Sequence, residues 1–83
     1  MERTAVIDRL KTIIEPYVQD KNAFDNIHEE TDLLTDLKIN SAHLVDIILD
    51  AEEAFDIEID DDSAERMLTV KDAVEIISNR MKE

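Results

Sequence analysis

The sequence predicts an all-α protein, a small bundle of three main helices and one short helix, with a long loop between the first two helices. In three segments apolar residues recur at three- and four-residue spacing, which is typical of amphipathic helices. The one alternating apolar and acidic stretch, residues 56–59, is too short for a sheet and has no second strand to pair with. With 83 residues and no glycine-rich linker, the chain is expected to form one domain over residues 1–83.

The first predicted helix occupies residues 2–15. Pro16 has no N–H group and restricts the residue before it, so this helix is expected to end or kink near Glu15. The apolar side chains on its predicted buried side are Val6, Leu10, Ile13 and Ile14.

Residues 19–39 form the longest stretch without clear periodicity. Unstructured loops of this length are uncommon inside a compact domain, so a long ordered loop is expected, with one helical turn around residues 33–37. The apolar residues available to anchor the loop are Phe24, Ile27, Leu33, Leu34, Leu37 and Ile39.

The second predicted helix spans residues 41–55 and has two apolar faces. Val45 and Leu49 lie well off the core side, next to Ala42, and form an exposed apolar ridge. A ridge that begins beside a serine and is bordered by carboxylates indicates a docking surface next to an attachment point. The core side contains Leu44, Ile47, Ile48, Ala51 and Phe55, and the bordering carboxylates are Asp46, Glu52 and Glu53.

Two further helices complete the predicted bundle. A short helix over residues 61–67 has acidic residues at its start, where the helix dipole favours them. Thr69 and Asp72 match the acidic form of the capping box, which predicts a final helix beginning next to Thr69. The buried side of that helix is predicted to contain Val70, Ala73, Val74, Ile77 and Met81.

The charge and composition of the chain limit its partners. The 22 acidic and 9 basic residues give a formal net charge of −13, which argues against nucleic acid and anionic lipid and favours protein partners with basic surfaces. There is no cysteine, so disulfides and thiolate metal sites are excluded. No secretory segment or long apolar run is present, so we expect a cytoplasmic protein without membrane insertion. We also expect the chain to be a monomer.

The segment over residues 37–59 resembles the central helix of the acyl carrier protein family. In that family the helix opens with Asp-Ser-Leu after a Leu-Gly dipeptide and closes with a phrase close to Glu-Glu-Phe-Asp-Ile-Glu-Ile. Here Asn40-Ser41-Ala42 stands at the opening, and residues 53–59 nearly repeat the closing phrase. The resemblance extends over nearly the whole chain: it is close over residues 37–59, good over residues 61–65 and 69–74, and looser in the first helix.

The resemblance implies a carrier function centred on Ser41. In the family this serine receives 4′-phosphopantetheine from coenzyme A through a separate phosphopantetheinyl transferase, and the terminal thiol then carries acyl groups as thioesters for fatty-acid, polyketide or other specialised lipid biosynthesis. Ser41 would therefore be a substrate, and the chain itself not an enzyme. A phosphodiester at a helix start would meet unpaired N–H groups and the positive end of the helix dipole.

The resemblance also implies two groups of contact residues. Transferases and acyl-transferring, synthase or acyl-ligase enzymes with basic patches would dock at the helix that Ser41 opens, and the acyl chain would shelter between helices. The expected partner contacts are Asn40, Ala42, Val45, Asp46, Leu49, Glu52 and Glu53. The expected pocket residues, which could equally be ordinary core, are Leu44, Ile48, Phe55, Ile57, Ile59 and Met67.

Several residues near Ser41 depart from the family pattern. Asn40 replaces an aspartate, Ala42 a leucine and His43 a position that is often acidic, while Lys38 and Ile39 replace a Gly-Ala type pair. These changes reduce the negative charge where enzymes would dock. They suggest a specialised member that serves a dedicated pathway with its own transferase or synthase.

Three alternatives remain open on the residues alone. Ser41 could simply cap a helix, as serines at helix starts commonly do. The chain could be an acidic helical adaptor that acts only by binding a basic partner. It could also carry amino-acyl groups in place of other acyl groups.

Two other site types are excluded by spacing. An EF-hand loop needs glycine at its sixth position and glutamate at its twelfth, and neither Asp56 nor Asp60 as a first residue provides them, so no metal site is predicted. Ser41, His43 and Asp46 are expected not to converge as a catalytic triad on a helix, and no glycine is available for a nucleophile elbow.

Overall fold

The computed structural model describes residues 2–81 and confirms the all-α prediction. Single 3₁₀ turns lie at Glu15–Tyr17 and Ser41–His43. Within residues 2–81 the only β-type pairing is an isolated bridge between Asp32 and Thr69. Residue 1 and residues 82–83 of the predicted domain lie outside the described residues. The α-helices are α1 (Arg3–Ile14), α2 (Lys21–Asp25), α3 (Leu44–Phe55), α4 (Asp61–Glu65) and α5 (Val70–Met81).

The three long helices surround the core. Helix α1 packs against α3 and α5, and α3 also contacts α5. Most of the side chains predicted to face the core are buried: Val6, Leu10, Ile14, Ile47, Ala51, Phe55, Val70, Ala73, Val74 and Ile77. The predicted core residues that are only half-buried are Ile13, Leu44, Ile48 and Met81.

Helix α2 was not predicted, because it lies inside the segment expected to be a loop. Its five residues span little more than one turn, which is too short to show a helical period. The helix is capped by the Asp20 carboxylate, which accepts the Ala23 N–H at 3.1 Å. Phe24 from this helix packs half-buried against the core. Local capping and one apolar anchor therefore suffice for a helix here.

The ends of the predicted helices are confirmed to within a few residues. Helix α1 ends at Ile14, and Pro16 lies in the 3₁₀ turn that follows, as its missing N–H requires. Helix α4 ends at Glu65, two residues before the predicted end. The predicted helix over residues 41–55 begins as a 3₁₀ turn, and its α-helical part starts at Leu44.

Helix α5 begins with the predicted capping box. The Thr69 hydroxyl accepts the Asp72 N–H, and the Asp72 carboxylate accepts the Thr69 N–H, both at 3.1 Å. Helix α4 has a comparable cap, because the Asp60 carboxylate accepts the Ser63 N–H at 3.1 Å. These caps fix the two helix starts in the C-terminal third of the chain.

The long loop before Ser41 is held by backbone hydrogen bonds. The Leu33 N–H donates to the Leu68 carbonyl at 2.9 Å, and the Lys71 N–H donates to the Glu29 carbonyl at 2.8 Å. Within the loop, the Asp32 carboxylate accepts N–H bonds that lower its pKa, with the bond from Thr35 as the largest cause. The loop is thus ordered, as its length predicted.

Candidate functional site

Ser41 lies at the beginning of the turn that leads into α3. Ser41, Ala42 and His43 form the 3₁₀ turn, and all three are exposed. The Ser41 hydroxyl makes no hydrogen bond with any other group in residues 2–81. It is therefore accessible and chemically uncommitted within the described part of the chain.

The cap of this turn is Asn40. Its side-chain oxygen accepts the Ala42 N–H at 2.9 Å, and its backbone carbonyl accepts the His43 N–H at 2.8 Å. The interpretation of Ser41 as a simple helix cap is therefore wrong. A phosphodiester on Ser41 was expected to meet unpaired N–H groups at the helix start. Two of these groups, the N–H groups of Ala42 and His43, are already bonded to Asn40.

A small polar cluster surrounds His43. Its Nδ1 lies 3.4 Å from an Asp46 carboxylate oxygen. Its ring contacts the Tyr17 ring, with centroids 5.1 Å apart and the planes tilted by 36°. The Tyr17 hydroxyl donates to the Asp50 carboxylate at 3.3 Å. Partial burial and the Asp50 carboxylate raise the pKa of Tyr17 above its ordinary value.

Tyr17 and Asp50 were not predicted as site residues. Tyr17 reaches His43 only through the tertiary fold, because the 3₁₀ turn after α1 places it beside the start of α3. Nothing in the periodicity of either segment indicates this contact. One weak signal existed, since Tyr17 is the only tyrosine in the chain and directly follows the single proline.

The cluster has only part of a catalytic triad. His43 and Asp46 are three residues apart and approach each other, as residues at this spacing on a helix can. The Ser41 hydroxyl bonds to neither of them. A nucleophile activated by its own base requires that hydrogen bond, so the geometry does not support a hydrolase.

The exposed ridge lies where the sequence predicted. The Val45 side chain is 62% exposed and the Leu49 side chain 57% exposed, both large values for apolar residues. Asp46 and Glu53 are exposed beside them on the same helix. Apolar area and negative charge therefore lie together on the helix that follows Ser41.

Glu52 has a different environment from the other acidic residues of α3. It is half-buried, and its carboxylate accepts the Ile59 N–H at 2.8 Å. Its backbone carbonyl also accepts the Ile57 N–H at 3.0 Å. Glu52 therefore fastens residues 57–59 to α3, a local role that the sequence analysis did not identify.

The six candidate pocket residues all belong to the apolar interior. The buried members are Phe55, Ile59 and Met67, and the half-buried members packed against them are Leu44, Ile48 and Ile57. Ile57 also borders a cavity of about 400 Å³, together with Asp56, Glu58 and Arg80. Their assignment to an acyl pocket stays a prediction.

Metal and membrane functions find no support in residues 2–81. The described side chains include no group of three or more histidine, aspartate or glutamate residues placed to hold a metal ion. None of the described helices is long and apolar enough to cross a membrane.

Similarity to known proteins identifies the family. No protein-family model matches the sequence. The acyl carrier protein of Desulforapulum autotrophicum is 46% identical over 72 residues, which cover 87% of this chain and 92% of that protein. The chain belongs to the acyl carrier protein family. A second acyl carrier protein, from Coprothermobacter proteolyticus, is 36% identical over 98% of this chain and 96% of its own length.

The fold agrees with membership of the acyl carrier protein family. A solved structure of the acyl carrier protein from Enterococcus faecalis superposes with a TM-score of 0.79 at 28% identity, covering 96% of this chain and 99% of the other. Acyl carrier proteins are carriers and not enzymes. Members of the family generally carry phosphopantetheine and interact with transferase and synthase enzymes.

Proposed function

We propose that this acyl carrier protein carries acyl intermediates as thioesters on a 4′-phosphopantetheine arm attached to the Ser41 oxygen. The main support is the state of the Ser41 side chain, which is exposed and makes no hydrogen bond within residues 2–81. A hydroxyl that must enter the active site of another enzyme needs both properties. The acyl cargo would belong to fatty-acid, polyketide or other specialised lipid biosynthesis.

In the attachment reaction Ser41 is the nucleophile. Its oxygen forms a bond to the phosphorus of coenzyme A that bears the pantetheine, and the bond from this phosphorus to the departing 3′,5′-ADP breaks. The serine proton passes to a base on the transferase, because the Ser41 hydroxyl has no hydrogen-bond partner within the described residues. The attached arm supplies the thiol that forms thioesters, which this cysteine-free chain cannot provide.

The exposed ridge supports docking of enzymes beside Ser41. Val45 and Leu49 would contact apolar residues of the partner, and the exposed Asp46 and Glu53 would face its basic groups. The net charge of −13 would steer such partners towards the carrier over longer distances. Because Glu52 is engaged by the Ile59 N–H, its contribution to docking should be smaller.

The acyl chain would shelter in the apolar interior below the arm. Half-buried Leu44 and Ile48 lie on the helix that Ser41 opens, and Ile57 lies on the segment fastened to that helix by Glu52. Separation of this segment from α3 would open a path towards the buried members of the group. The candidate lining residues are the six named above: Leu44, Ile48, Phe55, Ile57, Ile59 and Met67.

The residues around Ser41 favour a dedicated pathway. Lys38 and His43 place cationic or neutral groups where the family commonly has glycine and an acid, and Asn40 is a neutral cap. A transferase with a strongly basic patch would bind this surface more weakly than the more acidic surface of a general fatty-acid carrier, because the electrostatic attraction is smaller. Efficient exchange of acyl groups with generic fatty-acid enzymes would contradict this part of the proposal.

The proposed function is tested by the intact mass of the protein before and after incubation with coenzyme A, magnesium and a broad-specificity phosphopantetheinyl transferase. We expect one phosphopantetheine adduct on the wild-type chain and none on Ser41→Ala. If folded wild-type protein gained no adduct even with transferases from its own source, the carrier proposal would be overturned and the acidic adaptor would replace it.

A further inference from the structure

The connection between α1 and α2 contacts the chain on both sides of Ser41. On the upstream side, the Leu37 carbonyl accepts the Gln19 N–H at 3.1 Å and the Asp20 N–H at 3.2 Å. On the downstream side, the Tyr17 ring lies against the His43 ring at a centroid distance of 5.1 Å. The segment that contains Ser41 is therefore held between two points of the same connection.

The Ser41 turn has few other restraints. None of its three residues is buried, and apart from the bonds within the turn its Ala42 and His43 N–H groups are held by Asn40. The side chains of Ser41 and Ala42 make no hydrogen bond, ion pair or ring contact within residues 2–81. His43 is therefore the residue through which the rest of the fold reaches the side chains of this turn.

Tyr17 is itself well placed to restrain His43. It lies in the 3₁₀ turn that Pro16 begins, and its hydroxyl donates to Asp50, which lies on α3 beyond the turn. Its neighbour Val18 is buried in the core. One ring thus connects the end of α1, the body of α3 and the Ser41 turn.

We propose that Tyr17 is a positioning residue for the modification of Ser41, acting through His43 to hold the 3₁₀ turn in the conformation that a transferase accepts. This inference rests on the proposed carrier function. Weakly packed ends of helices open locally at little cost in free energy. The loss of one ring contact can therefore lower substantially the fraction of molecules in which the Ser41–His43 turn keeps its 3₁₀ conformation. A substrate that is only partly in its competent conformation binds more weakly in proportion to that fraction.

The first test measures amide hydrogen exchange in the unmodified protein. Tyr17→Leu should accelerate exchange of the Ala42, His43 and Leu44 amides by about two- to tenfold, the equilibrium factor that corresponds to one aromatic pair. Tyr17→Phe keeps the ring and should exchange nearly as the wild type does. Phe24→Leu is the matched control, because it removes a half-buried ring of the neighbouring helix α2, and the described contact of that ring is with Lys11.

The second test measures transferase kinetics with the carrier as the varied substrate. Tyr17→Leu should raise the KM for the carrier by about two- to fivefold while kcat stays unchanged, and Tyr17→Phe should restore the wild-type KM. His43→Leu should give a similar rise, and the double variant should not exceed the larger single effect, because both act through one contact. If the rise in KM came only from a general loss of stability, Phe24→Leu should raise the KM as well.

The outcomes separate this inference from the proposed function. If the wild type is modified and Tyr17→Leu has the same KM and amide exchange as Phe24→Leu, the positioning role is overturned while the carrier function stands. If the wild type itself accepts no arm, both are overturned. A rise in KM for Tyr17→Leu and His43→Leu but not for Phe24→Leu, with the wild-type KM restored in Tyr17→Phe, supports the positioning role.

Discussion

The side-chain oxygen of Asn40 accepts the Ala42 N–H at 2.9 Å, so the residue before Ser41 caps the turn and leaves the serine hydroxyl unused. We therefore predict that Asn40→Ala lowers the free energy of unfolding by about 1 kcal/mol, the usual contribution of such a cap. Ser41→Ala should change it by less than about 0.5 kcal/mol, as expected for an exposed side chain that makes no hydrogen bond within residues 2–81. Denaturant unfolding of both variants measures the difference. If Ser41→Ala lowered the free energy of unfolding more than Asn40→Ala does, the serine and not the asparagine would be the cap.

A second prediction concerns the backbone at Lys38, which has a φ of 57°. A residue with a Cβ atom pays about 1–2 kcal/mol in this left-handed region, and glycine avoids that strain but gives the unfolded chain more freedom. We expect Lys38→Gly to raise the free energy of unfolding by about 0.5 kcal/mol after both effects are combined. Asp56 has a φ of 55°, and Asp56→Gly should raise the free energy of unfolding by less, because aspartate tolerates the left-handed region better than lysine does.

The control for this prediction is Lys38→Ala, which removes the same charge but keeps the Cβ atom. In chemical unfolding at one pH and salt concentration, Lys38→Gly should have a higher free energy of unfolding than Lys38→Ala. The reverse order would mean that the left-handed backbone at this position is not strained.

A third prediction concerns acid unfolding. Hydrogen bonds from Ser63, and to a smaller extent the charge of the Arg80 guanidinium, lower the pKa of the Asp60 carboxyl. Because the folded pKa is lower than the unfolded one, the stabilisation is complete above an ordinary aspartate pKa of about 3.9 and is lost as the pH falls through the folded value. Asp60→Asn should therefore be less stable than wild type at pH 7, and the difference should shrink as the pH falls below about 4.

Thermal unfolding of wild type and Asp60→Asn between neutral and acidic pH measures this convergence. Glu58→Gln provides a control of equal charge change at a neighbouring exposed residue. Parallel pH profiles for wild type and Asp60→Asn would contradict the assigned role of the carboxylate.

A fourth prediction concerns the exposed ridge. Leu49 is 57% exposed, so Leu49→Ala should change stability by less than about 0.5 kcal/mol. If partners dock on the ridge, the same change should weaken binding of a phosphopantetheinyl transferase by about 1–2 kcal/mol, as truncation of an apolar contact residue does. Leu68→Ala is the matched control, since Leu68 is an exposed leucine outside α3. Equal Kd values for the two variants in a calorimetric titration would exclude the ridge as the docking surface.

Much of this fold follows from short-range pattern. The outward placement of Val45 and Leu49 follows from helical periodicity, and the capping box of Thr69 and Asp72 follows from residue type and spacing alone. Helix α2 was missed because a five-residue helix shows no period, although Asp20 is a typical cap. Periodicity identifies long helices well and single turns poorly.

The details of the candidate site depended on contacts that the sequence does not encode locally. Both Asn40 and Ser41 are residue types that cap helices, and only the backbone geometry shows that Asn40 does so. The contact between Tyr17 and His43 joins two segments that are distant in sequence. Glu52 looked like a surface acid of α3, but the path of residues 57–59 brings the Ile59 N–H to its carboxylate.

The central claim is that Ser41 is the attachment residue, and the most direct measurement locates the arm by fragmentation mass spectrometry after treatment with coenzyme A, magnesium and a transferase. Ser41→Ala and Ser78→Ala are compared, because Ser78 is a half-buried serine on α5 that should be irrelevant to modification. We predict a phosphopantetheine adduct on the peptide that contains Ser41 in wild type and Ser78→Ala, and no adduct on Ser41→Ala. An adduct on any other residue, or an unmodified wild-type chain, would contradict the claim.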